Sequence, residues 1–174
     1  MARGERDQAL ATAYRAITDN PRAAIACFSA ATLEELLGNT PKAEELYRKA
    51  LELEPGYAQA ANNLAYLMLQ NREDPDGALP LAMLARKKMP DSSSAADTLA
   101  WVYYHKGLYG FAADLLREAL QKNPNNATYH YHLGMVYQKQ SNKLEARKHL
   151  QRALQINPSY PAAEQIRSTL NQIS

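Results

Sequence analysis

The side chains able to do chemistry are few, and their spacing argues against catalysis. His130 and His132 stand two residues apart. On a helix that spacing points them to different faces, so they cannot share a metal. His105 belongs to an earlier helix, about eight helical positions away along the axis, or roughly 12 Å. Cys27 is the single cysteine. It has no disulfide partner and no neighbouring His or acid to activate it, and it reads as a small buried residue. Asp97 is a lone acid with no second acid placed for general acid–base work. Arg86-Lys87-Lys88 is the longest basic run and suits the C-terminal end of a helix, where cations complement the dipole. Glu44-Glu45 with Arg48-Lys49 reads as i,i+4 pairs on an outer helix face. Large aromatics with a polar handle remain, above all Trp101, the only tryptophan. Their chemistry is recognition. No catalytic, cofactor-binding or metal-ligating residue is assigned.

Composition says which elements carry these side chains. The chain has 174 residues and a net charge of +2, with 7 glycines and 30 alanines, and its only valines are Val102 and Val136. Ala and Leu without β-branched residues favour helices over strands. A charge near zero gives no field for nucleic acid, and scarce glycine speaks against phosphate-cradling loops. No run approaches the ~18 apolar residues of a membrane span. The charged start Met1-Ala2-Arg3-Gly4-Glu5-Arg6-Asp7 lacks the apolar segment of a signal peptide. The expectation is a chain that does not insert in a membrane, cytoplasmic by default, or extracytoplasmic if a targeting segment lies outside it.

The prolines keep a period. Pro21, Pro55, Pro90, Pro124 and Pro158 are separated by 34, 35, 34 and 34 residues. Five residues before each is an alanine: Ala16, Ala50, Ala85, Ala119 and Ala153. Twelve before each is another: Ala9, Ala43, Ala78, Ala112 and Ala146. Leu99-Ala100-x-x-Tyr103, Leu133-Gly134-x-x-Tyr137 and Leu64-Ala65-x-x-Met68 repeat upstream. This predicts helix–turn–helix units stacked in register. Proline ends each second helix, and the phased alanines let backbones approach. Gly38, Gly107 and Ser141 fall at the turns within units, where a left-handed residue is wanted.

The pattern resembles the tetratricopeptide repeat family, with Leu99, Ala100, Tyr103, Gly107, Tyr109, Ala112, Ala119 and Pro124 close to its consensus. The resemblance implies an all-α solenoid of antiparallel helix pairs. The expected frame over residues 4–174 is a half unit at 4–23, full units at 24–57, 58–92, 93–126 and 127–160, and a capping helix at 161–174. Pro161 would take the first position of that helix. A half unit at the start implies a piece of a longer array. In the first full unit Ala30-Ala31 and Glu34 replace the Leu-Gly and aromatic positions, so its first helix is expected to be placed less regularly. In the second, the extra residue is expected in a bulged loop over 71–77, with Pro80 in the first turn of the next helix. The segment Ala96–Gly107 also resembles the C-terminal repeats of bacterial tetratricopeptide proteins of exopolysaccharide and exosortase-type surface systems.

The resemblance further implies that first helices line a concave face. Its binding positions carry over to Phe28, Asn62, Tyr66, Asp97, Trp101, Tyr104, His105, Tyr131 and Met135, among others. Phe28, Tyr66, Trp101, Tyr104, Tyr131 and Met135 would be partly exposed there. Asn62, Asn63, Asp97 and His132 would hydrogen-bond an extended backbone. The positions matching the family's clamp for acidic chaperone tails hold Phe28, Thr32, Asn63, Ser94 and Thr98. They include no cation, so that activity is rejected. The function expected is non-enzymatic binding of a protein or peptide in an aromatic groove. The alternative is self-association through the N-terminal end, where Leu10, Ala13, Tyr14 and Ile17 lack a partner on one side. RNA binding is weakened by the lack of a basic groove.

Overall fold

A computed structural model describes residues 3–72 and 74–173. All regular structure among the described residues is helical. The helices are α1 (Arg3–Asp19), α2 (Ala24–Leu36), α3 (Thr40–Leu53), α4 (Ala58–Arg72), α5 (Pro75–Lys88), α6 (Ser93–His105), α7 (Tyr109–Lys122), α8 (Ala127–Lys139), α9 (Lys143–Ile156) and α10 (Ala163–Gln172). They group into two compact units, Met1–Lys88 and Met89–Ser174. In the first, α2 pairs with α3 and α4 with α5; in the second, α6 pairs with α7 and α8 with α9.

Within each pair the turn is made the same way. Gly38 (φ 82°), Gly107 (φ 75°) and Ser141 (φ 60°) all adopt the left-handed conformation. At each, the next residue's N–H reaches back to the helix: Asn39 to the Glu34 carbonyl, Leu108 to Tyr103 and Asn142 to Tyr137, at 2.9, 2.8 and 2.9 Å. These bonds satisfy carbonyls that the helix end would otherwise leave unpaired. Side-chain caps open several helices, with Ser92 accepting from the Ala95 N–H and Asn126 from the Tyr129 N–H.

The phased alanines form the seams. Ala43, Ala50, Ala78, Ala85, Ala112, Ala119, Ala146 and Ala153 have no solvent exposure at all. Opposite them the first helices also carry small residues. A Cβ added at Gly134 would come within 2.7 Å of Leu150, so only glycine lets α8 lie this close to α9.

Several expectations are corrected. Helix α2 is regular from Ala24 to Leu36. Its buried Glu34 accepts hydrogen bonds from the Tyr14 hydroxyl at 2.5 Å and the Asn39 amide at 2.6 Å, so a phenol from α1 substitutes for the missing aromatic. Helices α4 and α5 leave only residues 73 and 74 between them, so no loop spans 71–77; residue 73 itself lies outside the described residues. Asp74 caps α5 by accepting from the Gly77 N–H at 2.9 Å, which puts Pro80 inside the helix rather than in its first turn. Pro161 precedes α10 instead of opening it, since Ala162 is the capping position. Glu44 is buried, not on an outer face. It pairs with Arg48, while Glu45 takes Lys42 and Lys49 takes Glu52.

Candidate functional site

In the second unit the sequence-predicted residues converge. Asp97 on α6 and His132 on α8 are both buried, and His132 Nδ1 lies 2.7 Å from Asp97 Oδ1. Burying two polar groups is tolerable because each satisfies the other. The pairing follows from the repeat: residues one period plus one apart sit on successive first helices. Neither is free to bind an extended backbone, as the sequence expectation had it.

The His132 ring then serves as a floor. Trp101 stacks on it with ring centroids 3.9 Å apart and planes 16° from parallel. Tyr104 stacks on Trp101 at 4.5 Å and 3°. His105 meets both rings edge-on, at 5.2 Å from Trp101 and 5.4 Å from Tyr104. Trp101, Tyr104 and His105 are half-buried, so the stack is held by the fold and still reaches solvent. Burial raises the Tyr104 hydroxyl above its ordinary pKa.

Tyr131 and Met135 do not share that exposure. Each is 7% exposed and belongs to a core with Leu150 and Ile166. The Tyr131 hydroxyl donates to Gln165 Oε1 on α10 at 2.9 Å, and its ring packs on Tyr160. These two seal α8 against its neighbours, a role set by the helix that follows them.

The first unit treats its three residues differently. Phe28 is half-buried, with its ring 5.9 Å from Tyr47 and 5.1 Å from Tyr57. Asn62 is buried beside Asn63 and Tyr66 is half-buried. Fully buried Tyr47 organises this region: its hydroxyl donates to Glu35 Oε2 at 2.7 Å and accepts from the Asn63 amide at 3.1 Å. Burial first, and the Glu35 carboxylate after it, push Tyr47 up to about 12. Ile25 and Leu36 are exposed near the two ends of α2.

Sequence reasoning missed one histidine contact. His130 Nδ1 lies 2.9 Å from His149 Nδ1, and His130 Nε2 lies 3.0 Å from the Pro124 carbonyl. A carbonyl only accepts, so His130 carries its proton on Nε2 and accepts from His149 at Nδ1. The spacing of 19 residues has no local signature. Among the described residues no group of three or more His, Cys, Asp or Glu could hold a metal ion. Cys27 is buried, which pushes its thiol up. No helix among the described residues is long and apolar enough to cross a membrane.

Comparison with known proteins follows the same line. Tetratricopeptide repeat family models match residues 1–58 and 46–86, and the model of anaphase-promoting complex, cyclosome, subunit 3 matches residues 74–153. A TPR repeat-containing protein of Pseudomonas aeruginosa is 28% identical over 99 residues, covering 57% of this chain. The chain spans 17% of that relative's length in the match. Among solved structures, PilW, a widely conserved type IV pilus biogenesis factor, superposes with a TM-score of 0.75 at 18% identity, covering 98% of this chain and 87% of PilW. MamA from Desulfovibrio magneticus RS-1 gives 0.73 at 19%, covering 91% and 89%. YrrB, described as a TPR protein with an unusual peptide-binding site, gives 0.71 at 21%, covering 95% and 84%. At these identities the likeness is one of fold, an all-α tetratricopeptide solenoid.

Proposed function

We propose, from the premise that the chain belongs to the tetratricopeptide repeat family, that it is a non-enzymatic scaffold holding a peptide segment or partner helix on the aromatic face of α6. The observation that carries this reading is the Trp101–Tyr104–His105 stack on the buried Asp97–His132 pair. Rigid aromatics bind with little loss of side-chain entropy, and their polar edges add direction. The stack is braced before any partner arrives, so less of the binding energy goes into ordering it. The repeats expected at 4–23, 24–57, 58–92, 93–126, 127–160 and 161–174 are read as the frame that presents this face.

The test is selection of binding peptides from a displayed random library, followed by titration against wild type, His105→Ala and Trp101→Ala. Circular dichroism checks that each variant keeps its helices. Trp101 is the only tryptophan, so its emission reports occupancy directly. The expected result is a shift of that emission when wild type binds, and at least tenfold weaker binding by both folded variants, read from a fluorophore on the peptide. Peptides bound equally by wild type and both variants would overturn the assignment to this face.

A further inference from the structure

His130 on α8 and His149 on α9 face each other across one helix pair of the second unit. Both are half-buried, and their Nδ1 atoms lie 2.9 Å apart. The outer nitrogen of each ring is aimed at an acceptor as well. His130 Nε2 lies 3.0 Å from the Pro124 carbonyl, and His149 Nε2 lies 3.7 Å from Glu145 Oε2. A hydrogen bond between two imidazoles accounts for the inner contact alone. Inner nitrogens that face each other, with an acceptor behind each ring, form the pattern of imidazoles on a metal ion. A ligating histidine is deprotonated at the ligating nitrogen and donates its other N–H to a carbonyl or carboxylate, which fixes the ring. The separation also selects the ion. Imidazole nitrogens about 2.0–2.1 Å from one ion stand about 2.8–3.0 Å apart at a right angle, and about 3.3–3.4 Å apart at the tetrahedral angle. The observed 2.9 Å matches the right angle, which tetragonal Cu(II) prefers and tetrahedral Zn(II) does not.

We infer that His130 and His149 chelate a Cu(II) ion that ties α8 to α9. Each ring turns so that its Nδ1 lone pair meets the ion instead of the other nitrogen, and water takes the remaining positions. With two protein ligands the site is open, so the ion exchanges. In the metal-free pair His149 donates its Nδ1 proton to His130. On binding, that nitrogen gives its proton to solvent and Nε2 takes one up, which turns an N–H toward Glu145. Two neutral rings therefore bind the ion with no net release of protons. Burial lowers the pKa of both rings, so they are neutral, ligating imidazoles at neutral pH. The cations beside them, Arg152 and Lys148, are engaged elsewhere: Arg152 with Asn125 at 2.7 Å, and Lys148 with Glu145 at 3.2 Å. The copper site shares no residue with the aromatic stack on α6, and the two readings stand or fall separately.

The test titrates copper(II) chloride into the untagged full chain at neutral pH and follows it by calorimetry and by electron paramagnetic resonance. Wild type is compared with His130→Gln, His149→Gln and His105→Gln, and circular dichroism checks that each keeps its helices. Wild type is expected to take one ion, with the spectrum of a tetragonal copper held by two imidazole nitrogens. His130→Gln and His149→Gln are each expected to bind at least about tenfold more weakly, because a second ring on a fixed scaffold acts at high effective concentration. His105→Gln is expected to bind as wild type does. Equal binding by wild type and both of the paired-histidine variants overturns the inference. So does a wild-type spectrum with fewer than two imidazole nitrogens on the copper, a result that depends on no variant folding.

Discussion

His132 Nδ1 and Asp97 Oδ1, 2.7 Å apart and both buried, join α8 to α6 beneath the only tryptophan of the chain. Removing one partner of such a pair leaves the other desolvated and unsatisfied. Asp97→Ala is expected to cost about 3 kcal/mol. Asp97→Asn retains an acceptor and costs about 1 kcal/mol. Urea unfolding of the two variants beside wild type measures both, and equal losses would contradict a specific role for the hydrogen bond.

The Tyr14 hydroxyl plays the matching part in the first unit, donating to buried Glu34 at 2.5 Å. Burial, then the hydrogen bond to Glu34, raises its pKa above the ordinary tyrosine value. Tyr14→Phe removes one of two donors to a buried carboxylate and is expected to cost about 1–2 kcal/mol. Hydrogen exchange would show the loss concentrated in α1 and α2. A uniform loss across all helices would argue that Tyr14 merely contributes bulk.

Ser141 holds a left-handed conformation (φ 60°) that Gly38 and Gly107 adopt at equivalent turns. A side chain there costs about 1–2 kcal/mol, part of which glycine returns as unfolded-chain entropy. Ser141→Gly is expected to stabilise by about 0.5–1 kcal/mol. Calorimetry should then show a melting temperature higher by about 1–4 °C.

The two histidines at the α8–α9 contact make stability pH-dependent. Burial first, and then the nearby His130, push His149 down to about 4 from its ordinary 6.5. Burial also lowers His130, whose surroundings include Arg152. Glu145, 3.7 Å from His149 Nε2, pulls the other way and Lys148 opposes protonation. With the folded values depressed, the unfolded chain binds more protons between these limits. Stability is full above about pH 6.5 and is lost as the pH falls toward 4. His149→Leu should flatten melting temperature against pH in that window; an unchanged slope would assign the effect to the carboxylates.

Ala119 and Ala16 occupy the same phase of the repeat, yet Ala119 has no exposure and Ala16 is exposed. Ala119→Leu is expected to cost about 2 kcal/mol by overpacking. Ala16→Leu should change stability by under about 0.5 kcal/mol. The contrast is read by chemical denaturation of the two variants under one condition.

The parts of the fold that depend on short-range chemistry were legible from residue types alone. Proline removes a backbone donor wherever it stands, Gly38 and Gly107 tolerate a left-handed turn, and alanines five and twelve residues before each proline must lie on the facing side of a helix. Trp101 stood out because Leu99, Ala100 and Tyr103 already filled the packing positions around it. Pro80 reads as a first-turn residue because composition does not separate the short connection before it from a loop; the Asp74 cap starts α5 at Pro75 and leaves Pro80 inside the helix.

What the sequence by itself determined is the period, the helical pairing and the resemblance to the tetratricopeptide repeat. What only the tertiary structure decided is which partner each polar or aromatic side chain finds. Glu34 reads as a defect until Tyr14 reaches it from 20 residues away, and Asp97 as a lone acid until His132 reaches it from 35. Tyr131 and Met135 read as a binding surface until Gln165, Tyr160 and Ile166 cover them. Local pattern fixes which face of a helix a residue occupies. Whether that face is sealed, paired or open depends on the neighbouring helix, and the packing that brings it there is set by contacts far apart along the chain.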